Sequence, residues 1–436
     1  MSIYKNTSKP YSGSIGDMLQ MKDFDLLLKK INDSMQLATG CTEPAAIALN
    51  CATARKHTPG EIRKVDIFID MGLLKNAMFV GIPGVSGRGV KLCAALGLVA
   101  GDPEDSLNVL SKINREHEKA AAGILPLITV SPKEDSEDLY IETHLTSDTE
   151  TTRVITWKKH DRIILVEHPP FSSFTPEKEN DTEWIKGYDL GDLLEFANSL
   201  PLEKLSSFEE GVSVNSKIAE KGLEAGFGRS LEQLNRQELW GDSLLQHIQM
   251  ITGAASFARM SGVSLPVMIV TGSGNQGITL FLTVAAAAEK LGSAREKLLR
   301  ALGLALGVNL LAKAYLGALS PICACGVASG LAASLGIVYL LDGTMSQMMG
   351  AACSMIGSIG GMICDGGKEG CAYKVAISAA TAALSAMTAV SDFSVSGKDG
   401  ILAEDFHELL GNVGYLAKIG MKDANRAILR IMEAKA

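Results

Sequence analysis

The apolar positions of this chain change period twice, and the three stretches so marked predict different elements. Residues 17–57 read as helices. "DFDLLLKKINDSMQLA" places its apolar residues at helical spacing, and "TEPAAIALNCATARK" opens with Thr42, Glu43 and Pro44 ahead of an apolar face. Pro44 would fall in the first helical turn, where a missing N–H costs nothing. Residues 60–170 switch to alternation. "KVDIFIDMG", "LYIETHLTS" and "TTRVITWKKHDRIILVEHPP" predict strands, the last two joined by polar turn residues. In the same stretch "GVKLCAALGLVAG" and "SLNVLSKINREHEKAAAG" predict helices, and the Pro-rich "HPPFSSFTPEKENDTEW" closes it. From about residue 188 almost everything reads helical, amphipathic at first and then increasingly apolar. Lys313 is the only charge between 301 and 341, and helices apolar all round belong in the middle of a bundle.

These patterns predict an α+β protein. N-terminal helices over 1–59 would pack on the all-α domain, a mixed α+β domain would cover 60–187, and 188–436 would form a larger all-α domain with a buried apolar central layer. A length of 436 residues agrees, at roughly 150 residues per domain. The chain is 47% hydrophobic and 21% charged, which supplies ample core, and its net charge of −8 argues against a nucleic-acid surface. "MSIYKNTSKPYSGSIGDML" has no apolar leader, so the eight Cys are expected in the reducing cytoplasm, where thiols serve metal, catalysis or packing. Residues 314–341 carry no charge and are long enough to span a bilayer. Their small residues, Pro321 and the lack of flanking basic clusters assign them instead to buried helices, with no membrane partner.

The chemistry concentrates in cysteines and glycines. Cys41 directly precedes a helix start, where unpaired N–H groups and the dipole would favour a thiolate of lowered pKa. The plainer reading is a small buried thiol beside a turn. "ICACG" and "CDGGKEGC" supply Cys323, Cys325, Cys364 and Cys371, whereas Cys51, Cys93 and Cys353 read as core residues. Gly366 and Gly367 would let backbone approach a sulfur or a bound anion, and Asp365, Lys368 and Glu369 suggest a site more than packing. Zinc ordinarily recruits closely paired Cys or His, and none of the seven His lies near these Cys in sequence. Three soft thiolates in a helix-rich domain suit an iron–sulfur cluster better, and a four-iron cluster would keep one iron open. "TGSGNQGIT" reads either as a carboxylate-binding turn with Asn275 and Gln276 or as a Gly-rich connection. "GIPGVSGRGVK", with Arg88 and Lys91, matches no nucleotide-binding pattern and reads as a structural turn.

Taken in order, "GCTEPAAIAL", "GSGNQGI", "CACGVASG" and "CDGGKEGCAYK" closely resemble the L-cysteine desulfidase family, which is related to the oxygen-sensitive iron–sulfur L-serine dehydratases. The resemblance covers nearly the whole chain. It implies a [4Fe–4S] cluster and cleavage of L-cysteine to sulfide, pyruvate and ammonia without pyridoxal phosphate. By the same resemblance Cys364 and Cys371 are cluster ligands, and the third is Cys323 in preference to Cys325, which spacing leaves open. Cys41 stands where the dehydratases carry a catalytic His, which implies the base; a cluster ligated by Cys41, with another of these Cys as base, is the open alternative. Thr42, Glu43, Ser273, Asn275, Gln276 and Lys368 are the substrate-binding candidates. The same cluster acting on L-serine or a related β-substituted amino acid is the nearest rival function, and a non-catalytic iron–sulfur redox sensor is the rival from another class. The expected partner is a small amino acid, with the assembly left open, a homodimer included.

Overall fold

The computed structural model describes residues 22–134, 136, 139–175 and 182–435; the polar N-terminal stretch read as carrying no leader and the middle of the Pro-rich segment lie outside them. Helix α1 (Phe24–Asp33) starts where the Asp23 carboxylate accepts from the Leu26 N–H at 2.8 Å. The helical spacing predicted through Ala38 stops at Asp33, and Met35–Thr39 forms strand β1. Its partner is Pro266–Val270, more than two hundred residues away, and local periodicity carries no trace of such a pairing.

Helix α2 (Thr42–Lys56) is buried at every residue from Thr42 to Ala54. It is followed by β2 (Ile62–Asp70), α3 (Met71–Ala77), α4 (Val90–Ala100) and α5 (Arg115–Ala122). Strands β3 (Ile128–Lys133), β4 (Tyr140–Ser147), β5 (Thr151–Trp157) and β6 (Ile163–Glu167) complete a sheet ordered β3-β2-β4-β5-β6, in which only β2 and β3 run parallel. Helix α2 lies between α4 and strands β4 and β5, which leaves it no solvent face. Gly97 of α4 permits this contact, because a Cβ there would come within 2.3 Å of the Ala48 carbonyl oxygen. The helix expected over 106–123 reduces to a 3₁₀ turn at Pro103–Asn108 and to α5.

The rest is helical except for one strand. Helices α6 (Leu190–Ser199), α7 (Phe208–Leu223), α8 (Gly226–Arg236) and α9 (Leu244–Met260) lead to strand β7 (Pro266–Val270). Helices α10 (Gly274–Lys290), α11 (Arg295–Leu316), α12 (Val327–Leu340), α13 (Met345–Ile359), α14 (Cys371–Val390), α15 (Phe406–Tyr415) and α16 (Ala424–Glu433) follow. The apolar α12 is the central element, packed on α10, α11, α13 and α14, as a helix without a polar face requires. The uncharged run 314–341 is not one helix: it comprises the end of α11, a loop, and the 14-residue α12. Among the described residues α11 and α14 are long and apolar enough to cross a membrane, yet 78% and 56% of their apolar windows are buried inside the fold.

The two regions share a core. The apolar cluster under the sheet includes Ile218 of α7, Ala255 and Ala258 of α9, Ile278 of α10, Val375 of α14 and Leu429 of α16. The N-terminal helices, expected together on the helical region, divide: α1 lies against α11, whereas α2 belongs to the layer on the sheet.

Candidate active site

Several helix starts face one another near the junction of the two regions. After β1 the chain reverses at Gly40 (φ +78°), where any Cβ would strike Pro83 at 2.7 Å. Cys41 then forms the N-cap of α2, extended and with its side chain making no capping bond. After β7, Thr271 (φ +45°) and Gly272 (φ +84°) turn the chain into α10, with Ser273 as its N-cap. Thr42 ties the two starts together, its Oγ1 donating to the Gly272 carbonyl at 3.0 Å. Cys323 and Cys325 occupy the turn before α12, and Cys371 is the first residue of α14. The Cys323 N–H donates to the Met362 carbonyl at 2.8 Å and the Cys364 N–H to the Pro321 carbonyl at 2.7 Å, joining the two Cys loops. Cys371 packs against Cys41, Val80 and Met260, while Cys325 Sγ lies 3.3 Å from Ser273 Oγ. Helix N-termini carry partial positive charge, so this junction attracts anions.

A hydrogen-bonded chain links the candidate ligands to the candidate base. Cys364 Sγ donates to Asn76 Oδ1 at 3.6 Å, and Asn76 Nδ2 donates to Glu43 Oε1 at 3.0 Å. The other Glu43 oxygen accepts from Cys41 Sγ at 2.9 Å and from Thr42 Oγ1 at 3.0 Å. Burial alone would raise the Glu43 carboxyl, but His160, the Cys41 hydrogen bond and Arg259 together hold it below the usual range. Burial pushes the Cys41 thiol far up, and the Glu43 charge adds to it. The sequence predicts a thiolate here; the chain alone keeps the proton on sulfur, because desolvation and an adjacent carboxylate outweigh the helix dipole. His160, at the tip of the β5–β6 turn, stands over Gly272, where a Cβ would lie 3.3 Å from its ring. Burial lowers its pKa, so the imidazole is neutral near pH 7, and its Nε2 is enclosed without a partner among the described residues.

The sulfurs also feel one another. Burial, then Cys323, push Cys371 up to about 11, with a further contribution from Cys364. Cys323 is raised by a hydrogen bond with Cys325 and by burial. Lys313 of α11, the one charge in its apolar stretch, bonds the Gly317 and Ala318 carbonyls at the end of its helix. Burial lowers its pKa to about 8, with Cys325 and Cys364 opposing.

Not every expected residue joins the site. Asn275 does: its Oδ1 accepts from Arg259 Nη1 at 3.2 Å. Gln276 instead bonds Thr271 Oγ1 at 2.9 Å and Asn309 at 3.4 Å, inside the helical layer. Lys368 is paired with Asp365 and leans on the Asp365 and Gly366 carbonyls, so its charge is already engaged. The two glycines serve both the fold and a sulfur: the Gly366 carbonyl accepts from Cys371 Sγ at 3.7 Å. A Cβ at Gly366 (φ +93°) would sit 2.5 Å from the Lys75 carbonyl oxygen, and one at Gly367 2.9 Å from that of Asn76. They let the Cys loop dock on α3. Buried Lys75 holds that dock by donating to the Cys364 carbonyl at 2.7 Å and to Asn425 at 2.8 Å. Arg88 makes an exposed ion pair with Glu369, and Cys51, Cys93 and Cys353 are buried core thiols as read from the sequence.

Asn76, His160 and Arg259 escape a reading of the sequence. Arg259 leaves one signal, a lone charge within the small-residue run "TGAASFARMSG". Asn76 and His160 leave none, since they reach the site from the sheet region. Two surface hollows, of ≈ 450 Å³ along α7, α9 and α10 and of ≈ 700 Å³ beside α6 and α11, include none of these groups; the chemistry is interior. Among the described residues no three His, Cys, Asp or Glu side chains stand closely enough to hold a single metal ion.

Comparison with known proteins places the chain in a family. The family model described as the serine dehydratase alpha chain matches residues 104–430, which include every Cys of the two loops and exclude Cys41. A UPF0597 protein of Clostridium tetani is 34% identical over 93% of this chain and 98% of its own length. One from Caldanaerobacter subterraneus is 36% identical over 95% of this chain and 99% of its own. The chain belongs to the serine dehydratase alpha chain family.

Proposed function

We propose that the protein is a β-eliminating lyase that converts L-cysteine and water to sulfide, pyruvate and ammonia with a [4Fe–4S] cluster. The observation that carries this reading is the chain Cys364–Asn76–Glu43–Cys41, which couples a loop thiol to the group assigned to proton transfer. The donor set fits the group: four cysteines gather in two joined loops, Cys371 feels Cys323 and Cys364, and Cys323 is hydrogen-bonded to Cys325, which also meets Ser273 Oγ at 3.3 Å. By the family resemblance Cys364 and Cys371 would hold it with Cys323, and Cys325 is the alternative third ligand. When bound, the cluster supplies a Lewis-acidic iron for the departing group, and a soft site suits sulfur.

The chain's residues would do the rest. A base takes the Cα proton, the Cβ–S bond breaks with its electron pair on sulfur, and aminoacrylate forms. That product tautomerises to the imine, and water releases pyruvate and ammonia. Cys41 is the base implied by the family resemblance; its Sγ donates to Glu43 at 2.9 Å, and it would act in the loaded site once the proton that the chain alone keeps on sulfur has been lost. A second reading is favoured by one observation: burial lowers the His160 pKa, which favours the uncharged ring a base needs, and its Nε2 has no partner among the described residues, whereas Cys41 holds its proton. Cys41→Ala and His160→Asn separate the two, since the variant lacking the true base keeps its iron and loses turnover.

The deciding experiment is anaerobic purification with iron and sulfide counted per chain, followed by kcat/KM for L-cysteine and L-serine. Sulfide release with iron present supports the desulfidase. Faster pyruvate formation from L-serine would move the assignment to a dehydratase. A cluster that responds to air without any pyruvate would make it a sensor, and a chain that takes up no iron after reconstitution would end the reading.

A further inference from the structure

Arg259 is a charge the fold leaves unfinished. It lies on α9 with 2% of its surface exposed, at the junction of the starts of α2 and α10. Its Nε donates to the Gly40 carbonyl at 3.1 Å. Its Nη1 donates to Asn275 Oδ1 at 3.2 Å and lies 3.4 Å from Met260 Sδ. Its Nη2 is buried without a hydrogen-bond partner among the described residues. Among those residues no carboxylate pairs with it: the nearby Glu43 spends its oxygens on Asn76, Cys41 and Thr42. A buried guanidinium with an open N–H group is costly unless an anion completes it.

The surroundings say which anion. Two helix starts add positive potential, so a charged ligand is preferred to a water molecule. The open Nη2 can donate charge-assisted N–H···O bonds to a carboxylate oxygen, an anion a guanidinium pairs with well. Gly274, the first residue of α10, is what makes room: a Cβ there would stand 2.3 Å from Arg259 Nε and 2.8 Å from Val267. Gly40, whose carbonyl holds Arg259, immediately precedes Cys41, and the Arg259 charge acts on both Cys41 and Glu43, so the guanidinium lies among the proton-transfer residues.

We propose that Arg259 binds the α-carboxylate of the substrate and thereby restricts the site to amino acids over the corresponding amines. The proposal rests on the lyase reading above and adds the residue that selects the substrate class. Anchoring the carboxylate fixes Cα in place and offsets the negative charge that develops there as its proton leaves.

The test compares L-cysteine with cysteamine, the same molecule without the carboxylate, in anaerobic binding titrations of the iron-loaded native protein, Arg259→Lys, Arg259→Gln and Gly274→Ala. Iron content and circular dichroism confirm that each variant is folded and loaded. Native protein should prefer L-cysteine. Arg259→Gln should weaken L-cysteine binding about 10- to 100-fold and leave cysteamine unchanged, as expected for loss of a charge-assisted contact. Arg259→Lys should fall between, and Gly274→Ala, which displaces the guanidinium without removing it, should lower the same preference. In turnover the change should appear chiefly in KM. A preference for L-cysteine that survives Arg259→Gln would overturn the anchor while leaving the lyase intact. If Arg259→Gln fails to fold, Arg259→Lys and Gly274→Ala decide in its place: an undiminished preference for L-cysteine in both overturns the anchor. Native protein that releases no sulfide and binds no amino acid would instead overturn the lyase reading.

Discussion

The helical region and the sheet region contribute to the site in opposite ways. The helical region brings sulfur: Cys323, Cys325, Cys364 and Cys371 sit in two loops that end at helix starts. The sheet region and its attached helices bring the groups that manage protons and hold the loops: Glu43, Asn76, His160 and Lys75. Sulfur ligands declare themselves by residue type and spacing. Proton-handling groups acquire their role from neighbours, and here those neighbours come from the other region. A site assembled across a shared core therefore depends on both halves folding together.

The sharpest test of that division is a pair of cysteine changes. Cys364→Ala should abolish sulfide release and lose iron, measured by metal content of anaerobic protein, whereas Cys353→Ala, at a core thiol that donates to the Ala403 carbonyl at 3.4 Å, should retain both. Next comes His160→Asn, on the sheet side. It should keep the iron and slow turnover by about 10²- to 10⁴-fold if the imidazole is the base. Equal turnover in native and His160→Asn protein would confine proton transfer to Cys41 and Glu43.

Stability measurements probe the sheet region on its own. Glu142 accepts from Arg153 Nε at 2.7 Å, His144 Nε2 at 2.8 Å and Tyr140 Oη at 2.6 Å. Burial works against the carboxylate, but these bonds win and bring its pKa down to about 2 from an ordinary 4.5. A depressed folded-state pKa means stability that is present above about 4.5 and lost as pH falls toward 2, on the order of 3 kcal/mol in total. Denaturant titrations between pH 5 and 2 should show that loss, and Glu142→Gln should flatten it. Gly366→Ala forces a side chain into φ +93° against the Lys75 carbonyl and should cost about 1–3 kcal/mol, read as a lower Tm with iron retention reduced. The smallest effect belongs to Lys368→Ala. Its charge is spent on Asp365 in a partly exposed pair worth about 0–1 kcal/mol, so kcat/KM should stay within about threefold of native.

Much of the fold is legible in the sequence. Alternation in "KVDIFIDMG" and "LYIETHLTS" corresponds to β2 and β4, and the charge-free stretch around α12 to the middle of the bundle. Strand β1 is not legible, because Met35–Thr39 is a strand only by virtue of β7. At the site, the sequence places Cys41 correctly at a helix start yet misleads about its protonation, because the dipole is local information and the desolvating shell is not. Gly366 and Gly367 do mark a close approach: the Gly366 carbonyl meets the Cys371 sulfur as expected, and the backbone of α3, which the sequence does not announce, approaches both glycines. Gln276, one residue from Asn275, turns into the helical layer while Asn275 meets Arg259; adjacent positions on a helix face directions that only packing assigns a use.

By itself, then, the sequence determined most of the helices and the strands of the larger sheet, where the thiols lie along the chain, and that the central helices are buried, since these follow from residue type and period. Tertiary structure decided which groups confront those thiols. Glu43, Asn76, His160 and Arg259 meet at the starts of α2 and α10 although they are spread from residue 43 to residue 259. Protonation, hydrogen-bond partners and an unfinished buried charge are properties of that meeting. They depend on distance and burial, which no local pattern along the chain encodes.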